Sequence, residues 1–315
     1  MACSVVISWR RALLAGLCST ALAGCSPASA PQVIAADGVL CDLTRRLAAE
    51  ALPVSCLLRP QDDPHQFQLT PSQSRAVRQA RLVLINGYSL TPALGHLRGT
   101  VAVAEEAVPR SPELPDPHGH GSHRDPHVWH DPRQSAAMLA VVSRRLQHLK
   151  PAAAAAIAGR ERALQTQLSA LHRWNQRQFA TLPQRQGSRT LATPHQAFSS
   201  LSRAYGLQEL PVVDAFSSNE SLRPQDLAMA VQQLRAHQVP AMFSEQIPAS
   251  RAMRRISELS GVPLAPQALR ADGLSSNGDL MSTLTSNTCL IVEQLGGRCD
   301  RATQRRLIAA WQAIR

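Results

Sequence analysis

The stretch DPHGHGSHRDPHVWHDP, residues 116 to 132, holds five of the chain's eleven histidines. Neutral imidazole is the commonest metal-ligating side chain, so this concentration points to metal chemistry. Sequence context divides the five. His118, His120 and His123 lie in HGHGSH, close to the HxHxDH arrangement of hydrolytic metal centres, but Ser122 stands where that arrangement needs aspartate and no strand leads into it. Their setting, SPELPDPHGHG, is a Pro- and Gly-rich surface loop. His127 has three counterparts elsewhere in the chain: His65 in LLRPQDDPHQF, His195 in TLATPHQAF and Asp272 in QALRADGL. Three imidazoles and one carboxylate make a ligand set suited to four-coordinate zinc. Glu245, closing AMFSE, is placed to accept a hydrogen bond from a ligand histidine or to face solvent.

Those four residues can meet only if the elements before them end at one place. Short β-type runs alternate with helical patterns along the chain, which predicts parallel sheets built from βαβ units. QVIAA, VSCLL, RLVLING and TVAVAE read as strands, and CDLTRRLAAEAL as a helix. Thr70-Pro71-Ser72-Gln73 reads as a capping box that opens another helix. From Asp131 to about Ala180 the sequence is alanine- and arginine-rich and helical, with Pro151 restarting the helix, and a segment such as 151–180 would span about 45 Å. Beyond it the alternation resumes: SRTLAT, QAFSSLSRAYGL, PVVDA, LRPQDLAMAVQQLRAHQ, AMFSE, ASRAMRRISELSGV and PLAPQALRA, with closing helices from Gly278 and Arg301. The expected fold is α/β: two (βα) lobes with mainly parallel sheets joined by one long connecting helix. The division is a signal region at 1–25, a first lobe at 26–130 with a His-rich loop at 109–126, a helical region at 131–182 and a second lobe at 183–315. His65, His127, His195 and Asp272 each follow a strand, two from each lobe, and ligands in open α/β sheets bind at the carboxyl ends of strands. The four therefore can converge on one crevice.

Composition narrows the partners. A formal charge of +11 would raise nucleic acid as a partner, but Lys150 is the sole lysine, the arginines are scattered singly or in pairs, and aromatics make up 3% of residues. Without a basic stripe or a base-stacking platform, the charge reads as a solvated surface and no nucleic acid is expected. At the N-terminus, Arg10 and Arg11 precede LLAGLCSTALAG, too short for a permanent membrane span and suited to an export signal. Leu22-Ala23-Gly24-Cys25 resembles a lipobox, which would place a lipid on Cys25; cleavage after Ala28-Ser29-Ala30 is the alternative. Export leaves Cys41, Cys56, Cys289 and Cys299 in an oxidising compartment, and of the three pairings 41–56 with 289–299 joins neighbouring elements.

DPHQFQLTPSQ, DPHVWHDP, PHQAFSSLSRAYGL, FSEQIPASRAMRRISELSGV and the ADGL segment, in this order, resemble the zinc- and manganese-binding solute-binding proteins of ABC importers. DPHVWHDP is similar to that family's DPHxWxDP signature. The resemblance spans nearly the whole exported chain. It implies two lobes linked by a rigid helix, a metal held between them, and delivery to an ABC-type membrane permease with a cytoplasmic ATPase. It places His65, His127 and His195 at the family's histidine positions and Asp272 at a carboxylate position. Manganese members of the family have glutamate where this chain has His195, so Zn(II) is the expected cargo and Mn(II) the alternative. His130 departs from the family, which usually carries an apolar residue there. The expected protein is a monomeric, periplasmic or cell-surface lipoprotein that binds metal and is not an enzyme. The competing readings are a metal-dependent hydrolase with Glu245 as general base, and an adhesin or metal store of the same fold. No HExxH, GxSxG or P-loop motif supports catalysis.

Overall fold

The structure is a computed structural model that describes residues 32–59, 62–97, 99–115, 122–213 and 223–314. Cys25 with the rest of the signal region, His118 and His120 lie outside the described residues.

The first lobe runs β1 (Val33–Ala35), α1 (Gly38–Ala48), β2 (Val54–Cys56), α2 (Pro71–Gln79), β3 (Leu82–Ile85), β4 (Thr100–Ala102) and α3 (Val103–Ala107). Its four strands form one sheet in the order β2-β1-β3-β4, with every neighbouring pair parallel. Strand periodicity sorts the side chains of β1 to two faces. Val33 and Ala35 join Leu84 in the main core, whereas Ile34 and Ala36 join Val77, Val83 and Ile85 beneath α2. A strand covered on both faces needs an unbroken apolar run, which is what QVIAA supplies. The capping box is formed in both directions: Thr70 Oγ1 accepts from Gln73 N, and Gln73 Oε1 accepts from Thr70 N. TVAVAE is shorter as a strand than its sequence suggested, because it turns helical at Val103, where Ala104 N donates to Asn86 O.

The Pro- and Gly-rich segment is not wholly irregular. β5 (Glu113–Pro115) and β6 (Ser122–Arg124) pair antiparallel, with Leu114 opposite His123. α4 (Pro132–Leu149) follows, capped by Asp131, and after a single 3-10 turn at Pro151–Ala153 comes α5 (Ala154–Phe179). The 26 residues of α5 give it a length of about 39 Å. Its buried positions Ile157, Leu164, Leu168, Leu171 and Trp174 recur at helical spacing and lie in the first-lobe core, while Phe179 enters the second-lobe core. The expected connecting helix therefore carries part of both cores.

The second lobe continues with β7 (Thr190–Thr193), α6 (Ser199–Tyr205), β8 (Gln208–Pro211), α7 (Pro224–Ala236), α8 (Arg251–Ser260), α9 (Leu280–Gln294) and α10 (Arg301–Gln312). β7 and β8 are parallel, and isolated parallel bridges at Ala192–Met242 and Met242–Leu264 extend the sheet. The resulting order, β8, β7, Met242, Leu264, repeats the pattern of the first lobe. AMFSE and PLAPQALRA thus contribute bridges rather than full strands. Pro240, Pro263 and Pro266 flank these bridges and cannot donate to a ladder.

The closing helices reach across the molecule. Leu280, Met281 and Leu284 of α9 sit in the first-lobe core, and Leu290, Ile291 and Val292 of the same helix, with Leu295 just past its end, in the second. Trp311 of α10, fully buried, returns to the first lobe, where its Nε1 donates to Asp42 at 3.2 Å and Arg46 stacks over its ring at 5.2 Å. Two disulfides, Cys41–Cys56 and Cys289–Cys299, follow the expected pairing and fasten α1 to β2 and α9 to the segment before α10. Among the described residues no helix is long and apolar enough to cross a membrane.

Candidate metal centre

His65, His127 and His195 each stand immediately after a proline, in Asp63-Pro64-His65, Asp125-Pro126-His127 and Thr193-Pro194-His195. Proline fixes the backbone at the centre of each tripeptide, and a short acceptor before it can fold back onto the residue after it. In both Asp-Pro-His segments the aspartate Oδ1 accepts from the histidine N–H, at 2.9 Å for His65 and 2.8 Å for His127. In the third, Thr193 Oγ1 donates to His195 O at 2.9 Å. The repeated motif is thus a small device for aiming an imidazole. Asn86, at the end of β3, holds the His127 segment in place by donating to Pro126 O at 2.9 Å.

Asp272 lies in the segment between the Leu264 bridge and α9. Asn287 of α9 grips Arg270, two residues earlier, from both sides, its Oδ1 accepting from Arg270 N at 3.0 Å and its Nδ2 donating to Arg270 O at 2.8 Å. Further along, Ser275 N donates to Thr283 Oγ1 at 3.1 Å.

These supports bring one ligand atom from each of His65, His127, His195 and Asp272 within 4.8 Å of one another. Asp272 Oδ1 lies 2.9 Å from His127 Nε2, 3.1 Å from His65 Nε2 and 3.5 Å from His195 Nε2. Four donors at about 2.0–2.1 Å from a tetrahedral zinc would stand roughly 3.3–3.4 Å apart, close to the three distances measured from Asp272. The cluster is sheltered: His127 is 2% exposed and His195 1%. A cavity of about 300 Å³, lined in part by Asp62, Gln66, Glu245, Arg270 and Asp272, lies beside it.

Carboxylates stand behind two of the rings. Asp125 Oδ1 is 2.8 Å from His127 Nδ1, so one buried carboxylate oxygen faces both the backbone and the ring of the same histidine. Glu245 Oε2 is 3.0 Å from His195 Nδ1, an ion-pair approach off the line of a hydrogen bond. Such partners fix which ring nitrogen keeps its proton and leave the other to a metal. Glu245 thus faces the His195 ring at ion-pair distance, without the hydrogen bond that was one of its two expected roles. Asp125 was not singled out from sequence, although it heads the same Asp-Pro-His tripeptide. Glu209 was also missed: it accepts from Phe198 N and Ser199 Oγ, each at 2.6 Å, and so caps α6 just after His195, where Phe198 has no side-chain acceptor to offer.

The charges are mutually dependent. Burial disfavours the His127 cation, but Asp125 and Asp272 outweigh it and raise its pKa to about 9. His195 is likewise raised well above the ordinary range, burial being overcome by Glu245 and Asp272. Burial works against the Asp272 carboxylate, yet His195, His127 and His65 hold it well below its usual range. His130 differs: burial pushes it down to about 4. It is not among the converging residues. His123 is described but exposed, in the wall of a smaller cavity shared with His65 and His127.

The sequence profile of the zinc-uptake complex component A periplasmic (ZnuA) family matches residues 33–294. The chain belongs to that family. Membership makes it a metal-binding substrate-binding protein of the ABC metal-transporter class, as its sequence resemblance implied. Zinc-binding protein TroA of Treponema pallidum is 29% identical over 283 residues, 84% of this chain and 89% of TroA. Manganese-binding lipoprotein MntA of Bacillus subtilis is 25% identical over 248 residues, 76% of this chain and 79% of MntA. The solved structure of the periplasmic zinc-binding protein TroA from T. pallidum superposes with a TM-score of 0.74 at 26% identity, covering 84% of this chain and 99% of that one. Fe(III)-bound YtgA from Chlamydia trachomatis, 21% identical with a TM-score of 0.75, shares the fold. This ZnuA-family chain thus has the two-lobed α/β architecture expected of it.

Proposed function

We propose that this protein captures Zn(II) between its lobes with His65, His127, His195 and Asp272 and delivers it to an ABC permease with a cytoplasmic ATPase. The observation that carries the reading is the convergence of three imidazole nitrogens and one carboxylate oxygen within 4.8 Å. Imidazole nitrogen suits zinc, whereas manganese favours sites richer in oxygen, and zinc stands higher in the affinity order for mixed N/O sites. The names of the relatives divide between the metals, so the choice of zinc rests on the donor set. Cys25 supplies the lipid anchor in this reading, and His118, His120 and His123 of the histidine-rich loop collect additional zinc more weakly. The reading involves no reaction. Glu245, the general base that a hydrolase would need, stands behind the His195 ring at Nδ1.

Binding exchanges protons for metal. Zinc must displace a proton from Nε2 of His127, whose pKa in the metal-free protein is about 9. In that protein the raised pKa adds stability that is complete below the ordinary value of 6.5 and is lost as the pH rises through about 9. Zinc affinity runs the opposite way, rising with pH over the same window. Calorimetric titration with zinc at pH 7, in buffers of differing ionisation enthalpy, is expected to give one tight site and release of about one proton or more per ion. Affinity that does not change between pH 6 and 8, with no proton released, would remove the histidines from the site.

A further inference from the structure

We propose that His130 is a latch between the lobes that positions Asp272 for metal binding. It ends the 3-10 turn Val128–His130 that His127 opens, so one short segment presents both a ligand histidine and the latch. Its Nε2 is 2.9 Å from Ala271 O, the carbonyl immediately before Asp272. A carbonyl only accepts, so Nε2 holds the ring proton and donates. The ring is 1% exposed, packs on Phe198 at the start of α6 with centroids 4.5 Å apart, and has no partner for Nδ1 among the described residues. A buried ring nitrogen left unpaired is a cost, so the one bond His130 makes is its polar contribution.

That bond falls at a critical point. Arg270 is held by Asn287, and the next backbone anchor after Asp272 is Ser275 on Thr283. Between them the Ala271 carbonyl is tied to the first lobe through His130, one residue from the carboxylate that meets His127. In the metal-free protein the 3-10 turn and its leading His127 thus meet the Asp272 segment at two points; zinc would take over the His127 contact, whereas the His130 bond can persist and hold the carboxylate near the three rings. The inference rests on Asp272 being a ligand.

The test compares zinc affinity, by competition with a chromophoric chelator, for the wild-type protein and for His130→Leu, His130→Gln, Asp272→Asn and the His130→Leu/Asp272→Asn double variant. The expected result is a loss of about tenfold for His130→Leu, the scale on which partners behind a metal ligand act. His130→Gln, whose amide nitrogen reaches where Nε2 does, is expected to stay within about threefold of wild type. In the Asp272→Asn background, His130→Leu is expected to add less than about twofold, because its effect runs through Asp272. His130→Asn, whose shorter amide stops short of the Ala271 carbonyl while keeping a polar side chain, carries the same comparison should His130→Leu fail to fold. Equal losses in both backgrounds, or none in either, would overturn the latch. Loss with His130→Gln as large as with His130→Leu would also overturn it, since the bond would not be the cause. Wild-type protein that holds no zinc would defeat the metal site itself, a separate failure.

Discussion

Zinc binding by His195→Ala is expected to be weaker than wild type by at least about a hundredfold, with the fold retained. A closed four-ligand zinc site supplies about 10–16 kcal/mol, so loss of one strong nitrogen ligand costs on the order of 3 kcal/mol, or about two decades in affinity. The fold should tolerate the change, because His195 follows β7 rather than forming part of it, and its ring neighbours are the other ligands and Glu245. Removal of the ring also separates Glu245 from its partner, but Glu245 adjoins the cavity and can be solvated. Competition against a zinc chelator measures the loss, and circular dichroism checks the fold. Unchanged affinity would show that the ring is not a ligand.

Trp311→Ala is expected to destabilise the protein by about 3–5 kcal/mol, the usual range for removing a fully buried large aromatic. Trp311 is 0% exposed and joins the first-lobe core from the last helix. It is also tied to a polar network: Nε1 donates to Asp42, its carbonyl accepts from Arg46 at 2.9 Å, and Arg46 pairs with both Asp42 and Asp279. Asp279 caps α9, the helix whose Asn287 and Thr283 hold the Asp272 segment. Loss of Trp311 therefore loosens the frame from which the carboxylate is presented. Urea denaturation of the metal-free protein reads the effect; a cost below about 1 kcal/mol would mean that α10 is not part of the first-lobe core.

Much of this was legible in the sequence because the signals were local. The apolar run in β1, the Thr70–Gln73 capping box and the proline restart at 151 each depend on residues adjacent in the chain. The Asp-Pro-His tripeptides belong to the same class, since an acceptor two residues before a histidine aims it without help from the rest of the fold. What escaped was long-range. The shared role of α9 in both cores and the return of Trp311 to the first lobe are tertiary choices that no periodicity records. AMFSE reads as a strand by composition, yet proline-flanked partners reduce its pairing to a bridge at Met242. Asp125 could have been found by asking why His65 and His127 share a motif, whereas Glu209 could not, because it caps a helix from the following strand.

The account rests on one metal held by three imidazoles and a carboxylate. Its most direct test is the metal retained by the purified protein after equilibration with equal zinc and manganese and removal of weakly held ions. One tightly retained zinc per chain, with any further zinc lost first, is the predicted result. Retained manganese with little zinc would contradict the choice of cargo drawn from His195, and no retained metal would contradict the site.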